Sequence, residues 1–169
     1  NPNKKTNILY IMNSLRAGGA QPFLIELIKN FDKTRYEVKV VTISKKGILA
    51  KDLAQLGVEI THIHKKSKLD LGLIFKLKNY IKLYKPDIVH TQLFGSDTWG
   101  RIAGFLAGVK VIITTEQNIN PDEGTAKKLV KSILQHVNKK IVVISEGVKN
   151  YSIKKDKIKP AKIKLIYNA

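Results

Sequence analysis

Short, nearly continuous apolar runs alternate along this chain with longer stretches whose apolar residues return every three or four positions. The runs predict strands buried on both faces, at Ile8–Met12, Glu37–Ser44, Val58–His64, Asp87–Gln92, Val109–Thr115, Lys140–Ser145 and Ile163–Tyr167. The periodic stretches predict helices. The first is carried by Phe23, Leu24, Leu27, Ile28 and Phe31, and others follow over Ile48–Leu56, Leu69–Tyr84, Asp97–Ala107, Thr125 to Val137, and from Glu146. Gly57 and Gly108 stand as helix stops, Lys85-Pro86 ends the third helix, and Ser96 and Thr125 are the expected N-caps. Strict alternation of apolar strands with amphipathic helices implies an α/β domain: a doubly wound parallel sheet of about seven strands with helices on both faces. No internal repeat or linker divides residues 1–169, so one domain is expected.

In such sheets ligands bind beyond the strand carboxyl ends, near the point where strand order reverses. The segments to watch are Asn13 to Gly19, Ser44 to Lys46, His64 to Lys66, His90 to Gly95, Glu116 to Asn120 and Ser145 to Gly147. The first organises the rest. It joins a strand to a helix through a polar turn carrying Gly18-Gly19, where backbone N–H groups and a helix N-terminus can meet a phosphate. Asn13, Arg16, Gly18 and Gly19 are therefore the candidate phosphate-binding residues. The turn is neither Gly-x-Gly-x-x-Gly nor a P-loop, and a plain tight turn feeding a helix is the competing reading. His90 and Gln92 share one face at the end of the fourth strand, as a binding pair or as a hydrogen-bonded core histidine beside an amide. His62 and His64 alternate on one strand face without a third ligand at suitable spacing, and Asp-x-Asp is absent, so no metal is expected. His136 reads as a surface or cap residue.

Composition narrows the classes. The chain has no cysteine, which excludes disulfides, thiol catalysis and cysteine metal sites. No run approaches a membrane span and no signal peptide opens the chain, so a cytoplasmic location is the expectation. Lys and Arg number 31 against 13 Asp and Glu, a net charge of +18 that points to a polyanionic partner. The lysines are not interleaved with aromatic residues, which counts against nucleic acid and favours an anionic membrane face. The helix Leu69–Tyr84 carries Lys78, Lys82 and Lys85 on one face below Leu71 and Phe75, the pattern of an interfacial helix or of a solvated helix back.

The strand ends, taken together, resemble a known family. Asn13-Ser14-Leu15-Arg16-Ala17-Gly18-Gly19-Ala20-Gln21, Lys85-Pro86-Asp87-Ile88-Val89-His90-Thr91-Gln92, Ala107 to Asn118, Val142 to Val148 and Ile166-Tyr167-Asn168-Ala169 are similar, in order and spacing, to the Rossmann-like N-terminal domain of GT-B glycosyltransferases of family 4. The resemblance implies the acceptor-binding half of a retaining enzyme. Such an enzyme takes a nucleotide-sugar as co-substrate, needs no metal or other cofactor, and acts on a glycan or lipid-linked acceptor of cell-envelope polysaccharide. It also implies a donor-binding domain beyond Ala169, without which this domain is expected to be inactive, and a peripheral position at the inner face of the plasma membrane. His90, Gln92, Asn118, Ser145 and Glu146 are the acceptor-binding residues it suggests. Two positions depart from the family pattern. Gln21, followed by Pro22, stands where Glu is common, and Gln117 stands where close relatives carry His beside the reacting sugar. Gln117 cannot take a proton but can hydrogen-bond, and Glu116 is the substitute acid or base. The alternative is a non-catalytic sugar- or nucleotide-binding module that recruits a separate donor-binding chain.

Overall fold

The computed structural model describes residues 4–16, 20–45, 47–67, 69–92, 94–122 and 124–167, with backbone alone for 20–22. Seven strands form one sheet: β1 (Thr6–Ser14), β2 (Tyr36–Lys45), β3 (Glu59–His62), β4 (Ile88–Gln92), β5 (Val111–Glu116), β6 (Lys140–Val143) and β7 (Ile163–Leu165). Their order is β3-β2-β1-β4-β5-β6-β7, and every pairing is parallel. The chain winds outward from β1 to β3, then returns to add β4 on the other side of β1. The reversal between β1 and β4 is the switch point, and parallel pairing brings all strand carboxyl ends to one edge.

Among the described residues six α-helices connect the strands: α1 (Ala20–Lys29), α2 (Ala50–Gln55), α3 (Leu71–Tyr84), α4 (Phe94–Leu106), α5 (Thr125–Leu134) and α6 (Glu146–Lys154). Successive residues Ile8 to Met12 of β1 are all buried because the sheet is covered on both faces. On one face Leu9, Ile11, Val41, Ile43, Val89 and Ile112 pack against Leu73, Leu77 and Ile81 of α3 and Trp99 and Ala103 of α4. On the other, Ile8, Tyr10, Met12 and Val40 meet Leu24, Ile25 and Ile28 of α1 and Leu53 of α2.

Local chemistry sets the boundaries. Asp70 caps α3 by accepting from the Leu73 N–H at 3.2 Å, so the helix starts two residues later than the apolar pattern suggests. Lys85 closes it in the left-handed region at φ 53°, just before Pro86. Helix α4 starts at Phe94 rather than Asp97, which corrects the expectation for Ser96. That residue lies inside the first turn, and its hydroxyl donates to the Gln92 carbonyl instead of capping. Gly124, not Thr125, is the N-cap of α5. That helix ends at Leu134, and a short 3-10 turn carries the chain on through Val137.

Candidate functional site

Beside the switch point, the pairing of β1 with β2 is irregular, two residues of β2 (Ile43 and Ser44) standing opposite Asn13 alone. Pairing with β2 runs in register from Thr6 to Met12 and resumes with Ser14 beside Lys45, leaving Asn13 without a strand partner. A bulge of this kind bends the strand that carries the extra residue, here β2, close to its end. The Asn13 amide is seated against Gly95 in the first turn of α4, so closely that a Cβ on Gly95 would lie 2.6 Å from Asn13 Oδ1. Glycine at 95 thus lets the two sides of the crevice approach across the switch point.

Beside it, Gln92 closes β4. Its side chain is fully buried, and neither amide atom has a hydrogen-bond partner among the described residues. Gln117, just past β5, likewise holds a buried Nε2 without a partner. Buried amides are almost always hydrogen-bonded, because an unmade bond in the interior costs about 1–3 kcal/mol. Both groups lie at the carboxyl edge of the sheet, one after β4 and one after β5.

His90 lies two residues earlier on the same strand. Its ring stacks on Tyr10 with centroids 4.6 Å apart, and Nε2 lies 2.7 Å from Thr115 Oγ1. Burial holds it well below the ordinary histidine value, at about 4, so it is neutral at physiological pH. Burial also pushes the Tyr10 hydroxyl up. Of the two residues expected as a binding pair, then, His90 is half-buried and hydrogen-bonded to Thr115, and Gln92 is fully buried.

Glu116, the expected acid or base, is drawn into an ion-pair cluster. Its Oε2 lies 3.5 Å from Lys131 Nζ of α5, and the same ammonium lies 3.3 Å from Asp156 Oδ2 after α6. Lys131 is 2% exposed. Burial pushes the Glu116 carboxyl up to about 7, with Asp97 acting the same way and Lys131 opposing both. As placed, Glu116 anchors the loop that carries Gln117 and the exposed Asn118.

A second buried assembly fixes α4 beneath the same edge. Asp97 pairs with Arg101 one turn on, and its Oδ1 accepts from the hydroxyls of Thr91 and Thr114, each at 2.7 Å. Arg101 also donates to Asn138 Oδ1 at 3.2 Å, and Asn138 donates to Thr114 Oγ1 at 2.9 Å. The i, i+4 spacing of Asp97 and Arg101 was the signal available in the sequence, although it marks surface pairs equally well. Lys131 carried no signal at all.

Arg16 and Ser145 follow the carboxyl ends of β1 and β6 at the same edge of the sheet. Ser145 caps α6, its Oγ accepting from the Val148 N–H at 3.1 Å, and Glu146 is exposed and paired with Lys149 at 3.2 Å. Arg16 is exposed at the end of the β1 segment. Gly18 and Gly19 lie outside the described residues. His62 Nδ1 lies 3.0 Å from Thr42 Oγ1, and His136 is exposed. Among the described residues no group of three or more His, Asp or Glu is placed to hold a metal ion. The largest cavity described, about 570 Å³, opens at the opposite edge, between Lys82 and Lys110, so size alone does not mark the site.

A doubly wound parallel sheet whose strand carboxyl ends meet at a switch point defines a Rossmann-like α/β domain. The model of Glycosyltransferase Family 4 matches residues 17–169, and the chain belongs to that family. It is 24% identical over 169 residues to the capsular polysaccharide biosynthesis glycosyltransferase CapH of Staphylococcus aureus, covering 95% of this chain and 46% of CapH. The fold matches Anabaena HepE, solved in complex with UDP, at a TM-score of 0.81 and 19% identity, over 97% of this chain and 44% of that one. A glycosyltransferase from Rickettsia africae matches at 0.79 and 26% identity, over 96% and 43%. The expected Rossmann-like domain of the GT-B fold is thus present, and the chain spans about half the length of the relatives it matches.

Proposed function

We propose that this chain forms the acceptor-side wall of a retaining glycosyltransferase. The enzyme would move a sugar from a nucleotide donor onto a glycan or lipid-linked acceptor of cell-envelope polysaccharide. The observation that carries the reading is the switch-point crevice, where Asn13 seats on Gly95 and the buried amides of Gln92 and Gln117 lack partners among the described residues. Amide groups both donate and accept, which suits the hydroxyls of a sugar. The kinship to CapH and the UDP complex of HepE support a polysaccharide product and a nucleotide donor.

In this reading Gln117 binds the reacting sugar by hydrogen bonds and moves no proton. Glu116, tied to Lys131, holds the loop in place. The donor nucleotide is bound by a second domain that faces the crevice, and this wall alone does not turn over. No metal enters the scheme. The protein works at the inner face of the plasma membrane, to which the lysine-bearing face of α3 attaches it.

The test is transfer by the full-length protein against a panel of nucleotide sugars. One donor should be consumed, with the anomeric configuration retained in the product. Gln117→Ala should lower kcat by about a hundredfold, the scale of losing one aligned hydrogen-bonding group. Saturable nucleotide-sugar binding without transfer from any donor would instead favour the non-catalytic recruiting module.

A further inference from the structure

The loop that follows β5 carries Gln117 and Asn118, and α6 reaches it twice. The Tyr151 hydroxyl donates to the Asn120 carbonyl at 2.6 Å, across 31 positions of sequence. Four residues earlier on the same face of the helix, Gly147 stands against Ile119. A Cβ on Gly147 would lie 3.5 Å from Ile119 Cδ1, so loop and helix are in van der Waals contact there. A bond to a backbone carbonyl fixes the path of the chain itself, whatever side chain the loop residue carries.

Tyr151 also steadies the far end of the Glu116 cluster. Its carbonyl accepts from the Lys155 N–H at 2.8 Å and the Asp156 N–H at 3.4 Å, which closes α6 and sets Asp156 beside Lys131. Lys131 in turn meets Glu116, the residue before Gln117. Gln135 ties the next stretch down, its Nε2 donating to the Lys157 carbonyl at 3.1 Å and its Oε1 accepting from the Lys159 N–H at 2.7 Å. Gln117 therefore sits between two fixed points, Glu116 held by buried ion pairs and Asn120 held by the Tyr151 phenol. Holding the loop in advance removes the ordering cost from the moment of reaction, and small displacements of an aligned group cost rate steeply.

We propose that Tyr151 is a positioning residue for sugar transfer. Its hydroxyl, through the Asn120 carbonyl, keeps Gln117 where the reacting sugar meets it. The inference rests on the transferase reading and adds a residue that acts on the loop and not on the substrate.

Tyr151→Phe in the full-length protein tests it, because the change removes the hydroxyl and keeps the ring and the backbone carbonyl. It should lower kcat about fivefold, the scale of one net hydrogen bond, and leave KM for the nucleotide sugar within about twofold of wild type. In a Gln117→Ala background the same change should cost less than about twofold further, since the group it positions is gone. A loss that multiplies in full overturns the proposal, as does an unchanged kcat. The brace is also read without turnover. Cleavage beside the exposed Asp122 by an aspartate-directed protease should run about fivefold faster in Tyr151→Phe, tracking the open fraction of the loop, while the far-UV spectrum is unchanged. Equal cleavage rates overturn the brace and leave the transferase reading standing. A wild type that transfers no sugar overturns that reading and with it any role of Tyr151 in transfer, while faster cleavage in the variant would still establish the brace.

Discussion

Glu116 and His90 oppose each other as the pH falls. Burial raises the Glu116 carboxyl from its ordinary 4.5 to about 7 and lowers the His90 imidazole from 6.5 to about 4. Between pH 4.5 and 6.5 the folded protein keeps a proton on Glu116 that the unfolded chain releases. Over the same range the unfolded chain binds a proton at His90 that the folded protein refuses. The Glu116 contribution to stability is therefore complete below 4.5 and lost as pH rises through about 7. The His90 contribution is complete above 6.5 and lost as pH falls through about 4. Removing either group should expose the other. Relative to wild type, Glu116→Gln should gain stability with rising pH across this window, and His90→Asn should lose it. Urea midpoints at several pH values provide the check, and three parallel curves would refute the assignment. Neither environment was legible in the sequence, because the same residue types at strand ends serve equally as catalysts and as buried structural groups.

At the level of elements, α4 is held by charge as much as by apolar packing. Asp97 and Arg101 are each 1% exposed and tie the helix to Thr91 of β4, Thr114 of β5 and Asn138 before β6. Arg101→Met keeps the side-chain bulk but strands the Asp97 carboxylate in the interior. It should destabilise the fold by about 3–5 kcal/mol, the scale for breaking a buried pair by removing one partner. The double variant Asp97→Leu with Arg101→Met should recover part of that loss, since no charge then remains unpaired. Chemical denaturation of the single and double variants decides the matter, and a single variant as stable as wild type would contradict it. Helices were legible where apolar periodicity and burial agree, as in α3, whose Leu73, Leu77 and Ile81 face the core as their spacing requires. Helix α5 shows where that logic stops. Leu129 and Ile133 are exposed while Lys131 turns inward to two carboxylates. Periodicity finds an amphipathic helix but cannot say which side is buried when the polar side carries its own partners.

Across the whole molecule, the parallel sheet was legible because its central strands, β1 above all, are apolar runs covered on both faces, and that signal needs no tertiary information. The crevice was legible only as a set of strand ends. Which ends meet depends on the β1–β4 reversal, and that leaves no mark in composition. The net charge of +18 acts at this same scale. On α3 the outward face carries Leu71 at 66% exposure and Phe75 at 62%, with Lys82 and Lys85 also exposed. No ion pair among the described residues engages Lys78, Lys82 or Lys85. No described helix is long and apolar enough to cross a bilayer, so attachment through α3 would be interfacial. Each lysine near an anionic surface contributes about 1 kcal/mol, and the attraction fades within a Debye length of about 10 Å at 0.1 M salt. The full-length protein should therefore sediment with vesicles containing anionic lipid at low ionic strength, stay in solution with neutral vesicles, and be released by added salt. Replacing Lys78 and Lys82 by Gln removes two charges and should weaken binding about thirtyfold, with the fold intact because neither side chain supports the core. Phe75→Ala should weaken binding without changing its salt dependence, since the apolar contact is not screened. Absence of vesicle binding at low salt would remove α3 as a membrane surface and leave the excess charge to be explained by the substrate alone.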